Sequence, residues 1–131
     1  MSVIKVLGKV ALPGPGAGAR DFTRRMTDFP HIFKEATGED LFLGTLNIEI
    51  ERNQALPIRE HFRIKGSTIG EPEQDLLFEV CRVDKIWAYR VRPCHLSTGG
   101  GGHGDHIIEI TSSARISNSS PGNQITIEFF R

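Results

Sequence analysis

Alternation of apolar and polar residues dominates most of this chain and predicts β-strands. The segment 41–51, LFLGTLNIEIE, predicts a strand in which Leu46, Ile48 and Ile50 share one face and polar side chains occupy the other. Segments 3–12, 106–113 and 124–130 are also rich in β-branched residues and predict strands. The long apolar segment 76–93 predicts one or two strands, with a hairpin turn near Arg82 to Lys85.

Helical spacing is seen between the first strand and segment 41–51. The apolar residues that share it are Phe22, Met26, Phe29, Phe33 and Ala36. Pro30 interrupts this pattern, so we expect two short helices. Asp28 is a candidate N-cap of the second helix, Pro30 suits its first turn and Gly38 suits its end.

Several short strands with one helical insertion favour a mainly β fold. We expect a closed or nearly closed β-barrel, with the helical segment lying over a barrel mouth. A two-layer α+β sheet is the main alternative. The 131 residues are the size of a single domain, here residues 1–131.

Charge and composition exclude several classes of protein. Sixteen basic and sixteen acidic residues give a formal net charge of zero, which argues against nucleic acid or an anionic membrane as partner. Two cysteines, Cys81 and Cys94, are too few for a disulfide framework, and the N-terminus lacks the features of a signal peptide. We therefore expect a cytoplasmic protein.

Thr45 and Asn47 are the first candidate ligands for a metal ion. Two residues apart on a predicted strand, they offer neutral oxygens in the same direction. Mg²⁺ accepts such ligands and commonly completes its coordination with phosphate oxygens, so this pair would bind the ion together with a nucleotide. The pattern alone favours a plainer interpretation, in which both side chains face water.

A glycine-rich loop, GPGAG at residues 14–18, follows the first strand and precedes the helical segment. Glycines let backbone N–H groups turn toward a phosphate, and a helix start adds partial positive charge. The spacing matches neither common phosphate-binding signature, and an ordinary surface loop has the same composition.

The order of these elements resembles the archaeal CTP-dependent riboflavin kinases. The segments that carry the resemblance are the G-x-G-x-G loop, the helical stretch that ends in glycine, GTLNIEI at 44–50, and a histidine-containing loop followed by HIIEI at 106–110. The resemblance covers nearly the whole chain. It implies a single six-stranded cradle-loop (RIFT-related) β-barrel with one or two short helices after the glycine loop.

The resemblance also implies a set of functional residues. Thr45 and Asn47 would hold Mg²⁺, and Glu109 would contact the flavin. A threonine upstream would contact the flavin too, with Thr98 the nearest match and Ser97 an alternative. The residues that would contact the nucleotide are Gly14, Gly16 and Gly18 in the glycine loop, and Ala114, Arg115, Ile116 and Ser117 near the C-terminus.

The function implied is transfer of the CTP γ-phosphate to riboflavin, which gives FMN. Glu109 would bind or orient the acceptor hydroxyl and take its proton. This chain has TSSARIS at 111–117 where the family typically has Ala-Pro and a basic segment, and it has Ala17 where the family loop is acidic. These departures leave open a non-catalytic barrel of the same fold that binds a flavin or a nucleotide.

A zinc site is a further alternative, because a cluster of possible ligands falls between residues 94 and 106. Its members are Cys94, His95, His103, Asp105 and His106, although their spacing matches no compact zinc pattern.

Alternation in segment 86–93 predicts that Trp87 and Tyr89 lie in the core, with Arg90 and Arg92 in solvent on the opposite face. Cys81 is predicted to be buried.

Overall fold

The computed structural model describes residues 2–11, 17–94 and 104–131, with the backbone alone described at 17–21. Within these ranges the chain forms mostly antiparallel strands. The elements in order are β1 (Val3–Val10), α1 (Ala17–Asp28), α2 (Pro30–Thr37), β2 (Leu46–Ile50), β3 (Phe62–Ile64), β4 (Leu76–Val83), β5 (Ile86–Pro93), β6 (Ile107–Thr111) and β7 (Gln124–Phe130).

Six of the strands close into a barrel in the order β4-β5-β6-β2-β1-β7. Closure occurs because one edge of β4 is shared by two partners. Its first half pairs with β3, with Phe78 opposite Phe62, and its second half pairs with β7, with Cys81 opposite Phe129. The closed six-stranded antiparallel barrel with two short helices is therefore confirmed, and the two-layer alternative is wrong.

Inward-facing aliphatic side chains fill the barrel. Ile48 and Ile50 on β2 are buried there while Glu49 is exposed, as the alternation predicts. The other large members of this core are Val6, Val10, Val83, Ile108, Ile110, Ile116, Ile125, Ile127 and Phe129. Cys81 lies in the same core, which confirms its predicted burial.

The helices pack against the outer wall of the barrel. Phe22 and Phe33 contact each other edge to face, with ring centroids 5.7 Å apart, and belong to a second cluster with Phe78 and Val91. On β4 and β5 these residues alternate with the inward-facing ones, so they point outward. The prediction that the helical segment lies over a barrel mouth is therefore wrong.

The ends of α2 show which capping predictions hold. Pro30 occupies the first turn, and Gly38 ends the helix in the left-handed conformation with φ 76°, both as predicted. Asp28 is not the N-cap: it is the last residue of α1, and Phe29 occupies the cap position without a side-chain hydrogen bond. The linker between the two helices is therefore too short for Asp28 to serve the second one.

The predicted β4–β5 hairpin is confirmed. Asp84 and Lys85 form its two-residue turn with φ values of 45° and 69°. Two successive positive φ angles fit the twist of the strands that the turn joins.

The arginines of β5 are buried, contrary to prediction. Arg90 and Arg92 are 1% and 5% exposed, because they occupy inward positions of the barrel in line with Ala88. Buried Glu79 lies close to Arg90 across the β4–β5 pair, with 4.0 Å between Arg90 Nη1 and Glu79 Oε1. Alternation identified the two faces of β5 correctly and assigned the wrong one to solvent.

Trp87 lies on the outer wall and is 57% exposed, so its predicted place in the core is also wrong. It contacts Phe130, and the guanidinium of Arg82 lies 5.6 Å from the centre of the Trp87 ring. Tyr89, on the same face, is half-buried beside the helices.

In the described residues, no helix has both the length and the apolar character needed to cross a membrane.

Candidate functional site

Asn47 and Glu109 are directly opposite each other on β2 and β6. The residues next to them along the strands, Ile48 and Ile110, point into the core, so Asn47 and Glu109 share the outer wall. Side chains paired in this way are separated by about 5 Å at Cβ. The fold thus brings a candidate metal ligand and the candidate flavin contact together.

The Oδ1 atom of Asn47 is buried and has no hydrogen-bond partner among the described residues. An amide oxygen left in this state costs on the order of 1–3 kcal/mol of folding free energy. A neutral oxygen is also a ligand that Mg²⁺ accepts. The donor set at this position therefore fits a magnesium ion.

Thr45 lies just before β2, since the strand begins at Leu46 and not at Leu41 as the apolar pattern suggests. Gly44 turns the chain there with φ 91°, a left-handed conformation that favours glycine. Thr45 is half-buried, two residues before Asn47 along the chain, and carries the other neutral oxygen of the predicted pair.

Glu109 lies in an environment that favours its protonated form. Burial raises the pKa of its carboxyl, and the nearby positive charge of Arg92 opposes that rise in pKa. Arg92 itself is held in an ion pair with Asp105 at 3.3 Å. A carboxylate with a raised pKa is a better proton acceptor than an ordinary surface glutamate.

Ala11, the residue after β1, lies next to the backbone of Asn47. The Ala11 N–H donates a hydrogen bond of 2.9 Å to the Asn47 carbonyl oxygen. Gly14 and Gly16 lie outside the described residues, as do Thr98 and its alternative Ser97. Gly18, which the composition places in the loop, is in the first turn of α1.

The predicted nucleotide-contact segment lies beside Thr45. A cavity of about 250 Å³ is lined by Thr45, Ala114 and Arg115, together with Phe42, Leu43, Gly44, Leu46, Ile110, Thr111, Ser112, Ile116 and Ser119. Three predicted nucleotide contacts, Ala114, Arg115 and Ile116, and one predicted metal ligand, Thr45, therefore line one cavity. Ser117 lines a separate pocket instead.

Ser112 fixes the shape of this segment. Its hydroxyl donates to the Ala114 carbonyl oxygen at 2.9 Å and accepts from the Ala114 N–H at 3.1 Å. Its own carbonyl oxygen accepts from the Phe42 N–H at 2.9 Å, so the segment is joined to the turn before Thr45. These bonds fix the position of residues 112–114 relative to Phe42 on the other side of the cavity.

Glu39 joins separate parts of the fold through hydrogen bonds, and the sequence analysis did not single it out. One carboxylate oxygen accepts from the Tyr89 hydroxyl at 2.5 Å and the other from the Ser113 hydroxyl at 2.9 Å. It thereby connects the chain just after α2 to β5, through Tyr89, and to the segment just after β6, through Ser113. In sequence it looks like an ordinary charged residue of a turn, and no local signal distinguishes it.

The zinc alternative has no support within the described part of the chain. No group of three or more histidine, cysteine, aspartate or glutamate side chains is placed there to hold a metal ion. Of the five candidate ligands, His95 and His103 fall outside the described residues.

No protein-family model matches the chain, and no significantly similar curated protein was found.

Proposed function

We propose that this protein is a Mg²⁺-dependent phosphotransferase of the riboflavin kinase type, which uses a nucleoside triphosphate to convert riboflavin to FMN. The observation that carries the proposal is the Oδ1 atom of Asn47, buried and without a partner among the described residues. Asn47 lies opposite Glu109, and its backbone is bonded to Ala11, the residue after β1. The resemblance names CTP as the donor.

Thr45 and Asn47 would hold the magnesium ion, which supplies neutralisation of phosphate charge during transfer. Ala114 and Arg115 contact the nucleotide, with Gly14, Gly16 and Gly18 on its phosphates. Phosphoryl transfer depends mainly on positioning and on charge stabilisation, so this division of roles needs no protein nucleophile.

Glu109 acts on the acceptor. A new bond forms between a ribityl hydroxyl oxygen and the γ-phosphorus while the bond from that phosphorus to the nucleoside diphosphate breaks. The hydroxyl proton passes to the Glu109 carboxylate, whose raised pKa favours its acceptance. Thr98 would help to hold the flavin.

Direct assay of the purified protein tests this function. Riboflavin and Mg²⁺ are incubated with CTP or with ATP, and FMN is separated by chromatography and measured by fluorescence. FMN formation that requires both Mg²⁺ and a nucleotide is expected, with CTP preferred. Absence of turnover with either nucleotide, together with absence of flavin binding in calorimetry, would refute the proposal.

A binding role without catalysis is the second candidate. The observation in its favour is that Ser112 and Ser113 use their hydroxyls within the protein, in bonds to Ala114 and Glu39, and so leave few polar groups for a nucleotide. A thermal-shift screen with FMN, riboflavin, CTP and ATP separates the two candidates, because a ligand of the folded state raises the Tm. A rise with a flavin, without FMN formation, would favour this candidate.

A further inference from the structure

Thr111, the last residue of β6, is a buried polar group for which the proposed mechanism has no role. The residue is 3% exposed, and its hydroxyl has no hydrogen-bond partner among the described residues. It also lines the cavity that contains Thr45, Ala114 and Arg115. Its cross-strand neighbour Tyr89 directs its own hydroxyl to Glu39.

The hydroxyl of Thr111 contributes no hydrogen bond to the folded protein in the described structure. A buried hydroxyl without a partner opposes folding, whereas valine has nearly the same shape, packs well in a strand and carries no such penalty. A polar atom of a ligand in the cavity that Thr111 lines would supply the missing partner.

The size and lining of the cavity indicate which part of a ligand would occupy it. About 250 Å³ is smaller than the roughly 300–1,000 Å³ typical of sites that enclose a drug-sized molecule. The lining is mostly apolar and includes the side chain of Phe42, which is 57% exposed. An apolar space of this size with an aromatic side chain suits one heterocyclic ring.

We propose that Thr111 is a specificity-determining residue that hydrogen-bonds the base of the donor nucleotide. This inference rests on the proposed function and adds to it a group that distinguishes a nucleoside triphosphate from bare polyphosphate. Phe42 packs against the same ring.

Thr111→Val tests the proposal, because it removes the hydroxyl and preserves the shape. Dissociation constants are measured by calorimetry in the presence of Mg²⁺ for CTP, ATP and inorganic tripolyphosphate. Loss of one neutral hydrogen bond predicts about 3- to 10-fold weaker binding of the preferred nucleotide. Binding of tripolyphosphate should not change, and the Tm of the ligand-free protein should be equal or higher.

Two further variants serve as controls. Thr111→Ser retains the hydroxyl and should bind the nucleotide within about threefold of the original protein. Thr126→Val, on β7 outside this cavity, measures the effect of valine in a strand on the Tm and should leave nucleotide binding unchanged.

Three results with the variants would overturn the proposal, and the binding properties of the original protein provide a further test. Unchanged nucleotide binding by Thr111→Val would show that the hydroxyl has no part in recognition. Equal weakening of tripolyphosphate would place its effect on the phosphates, and a lower Tm restored by Thr111→Ser would give it a structural role. If the original protein binds tripolyphosphate but no nucleotide, the base-reading role fails; if it binds neither, the proposed function fails as well.

Discussion

Replacement of Arg90 by methionine should stabilise the protein, although it removes a charge that lies near an opposite charge. Arg90 is 1% exposed, and neither of its Nη atoms has a hydrogen-bond partner among the described residues. Glu79, by contrast, has other partners. Arg131 donates to it through Nε and Nη2, both at 3.1 Å, and the Arg59 N–H donates at 3.0 Å.

The expected gain follows from the balance between attraction and burial. At 4.0 Å, the attraction between Arg90 and Glu79 amounts to about 4 kcal/mol with an effective dielectric constant near 20. Burial nevertheless lowers the pKa of Arg90 from 12.5 to about 10, so it outweighs this attraction by about 3 kcal/mol. Arg90 also lies 5.7 Å from the centre of the Phe129 ring, a contact that methionine replaces in part. We expect Arg90→Met to raise the free energy of unfolding by about 1–3 kcal/mol.

Urea denaturation at 25 °C followed by circular dichroism measures this change, with Arg131→Met as the matched comparison. Arg131 is the main partner of Glu79, and its loss leaves a buried carboxylate poorly compensated. We expect that variant to lose about 2–4 kcal/mol, somewhat less than for a fully buried pair because Arg131 is 18% exposed. The reasoning is refuted if Arg90→Met destabilises the protein by more than about 1 kcal/mol, or if both variants lose the same amount.

Two further predictions concern a thiol and a carboxylate. Burial raises the pKa of the Cys81 thiol to about 12. An aromatic disulfide reagent near pH 8 should therefore label only Cys94 in the native protein. Rapid labelling of Cys81 in a native Cys94→Ser variant would contradict this prediction. Hydrogen bonds from the Gly66 N–H and from Arg63 hold the pKa of the Asp75 carboxyl below its ordinary value. The stability that Asp75 contributes is therefore present above about pH 4, and it is lost as the pH falls through the pKa of the folded state. Asp75→Asn should therefore lower the Tm at neutral pH and not near pH 2, and a Tm difference independent of pH would refute the assignment.

Much of the barrel can be predicted from sequence, because strand alternation records which side chains avoid water. Ile48 and Ile50 are correctly predicted as core from the pattern of β2 alone. Gly38 and Pro30 mark the ends of α2 because each has restricted or unusual backbone preferences.

The errors arise where the pattern gives two faces without identifying the inner one. In β5 the aromatic face with Trp87 looks like the core, yet the inner face carries Arg90 beside Glu79. Glu79 lies on another strand, and no local window reports that the two will meet inside a barrel. A buried ion pair therefore reverses the assignment that residue polarity suggests.

The candidate site shows a similar division. Thr45, Asn47 and Glu109 could be named because they fall in recognisable segments, and the register of β2 against β6 brings the last two together. Glu39 and Thr111 could not be named. Their importance depends on partners gained or lacking in three dimensions, which a single residue type does not disclose.

The central claim is that Asn47 holds magnesium for phosphoryl transfer, and kcat/KM for FMN formation by Asn47→Ala tests it most directly. We predict a loss of about 100-fold or more, partly recovered at high Mg²⁺ concentration, with a Tm equal to or above that of the original protein because an unpartnered buried oxygen is removed. Asn123→Ala, at an exposed position before β7, should remain within about twofold. Full activity in Asn47→Ala, or a loss of activity explained by a fall in Tm, would contradict the account.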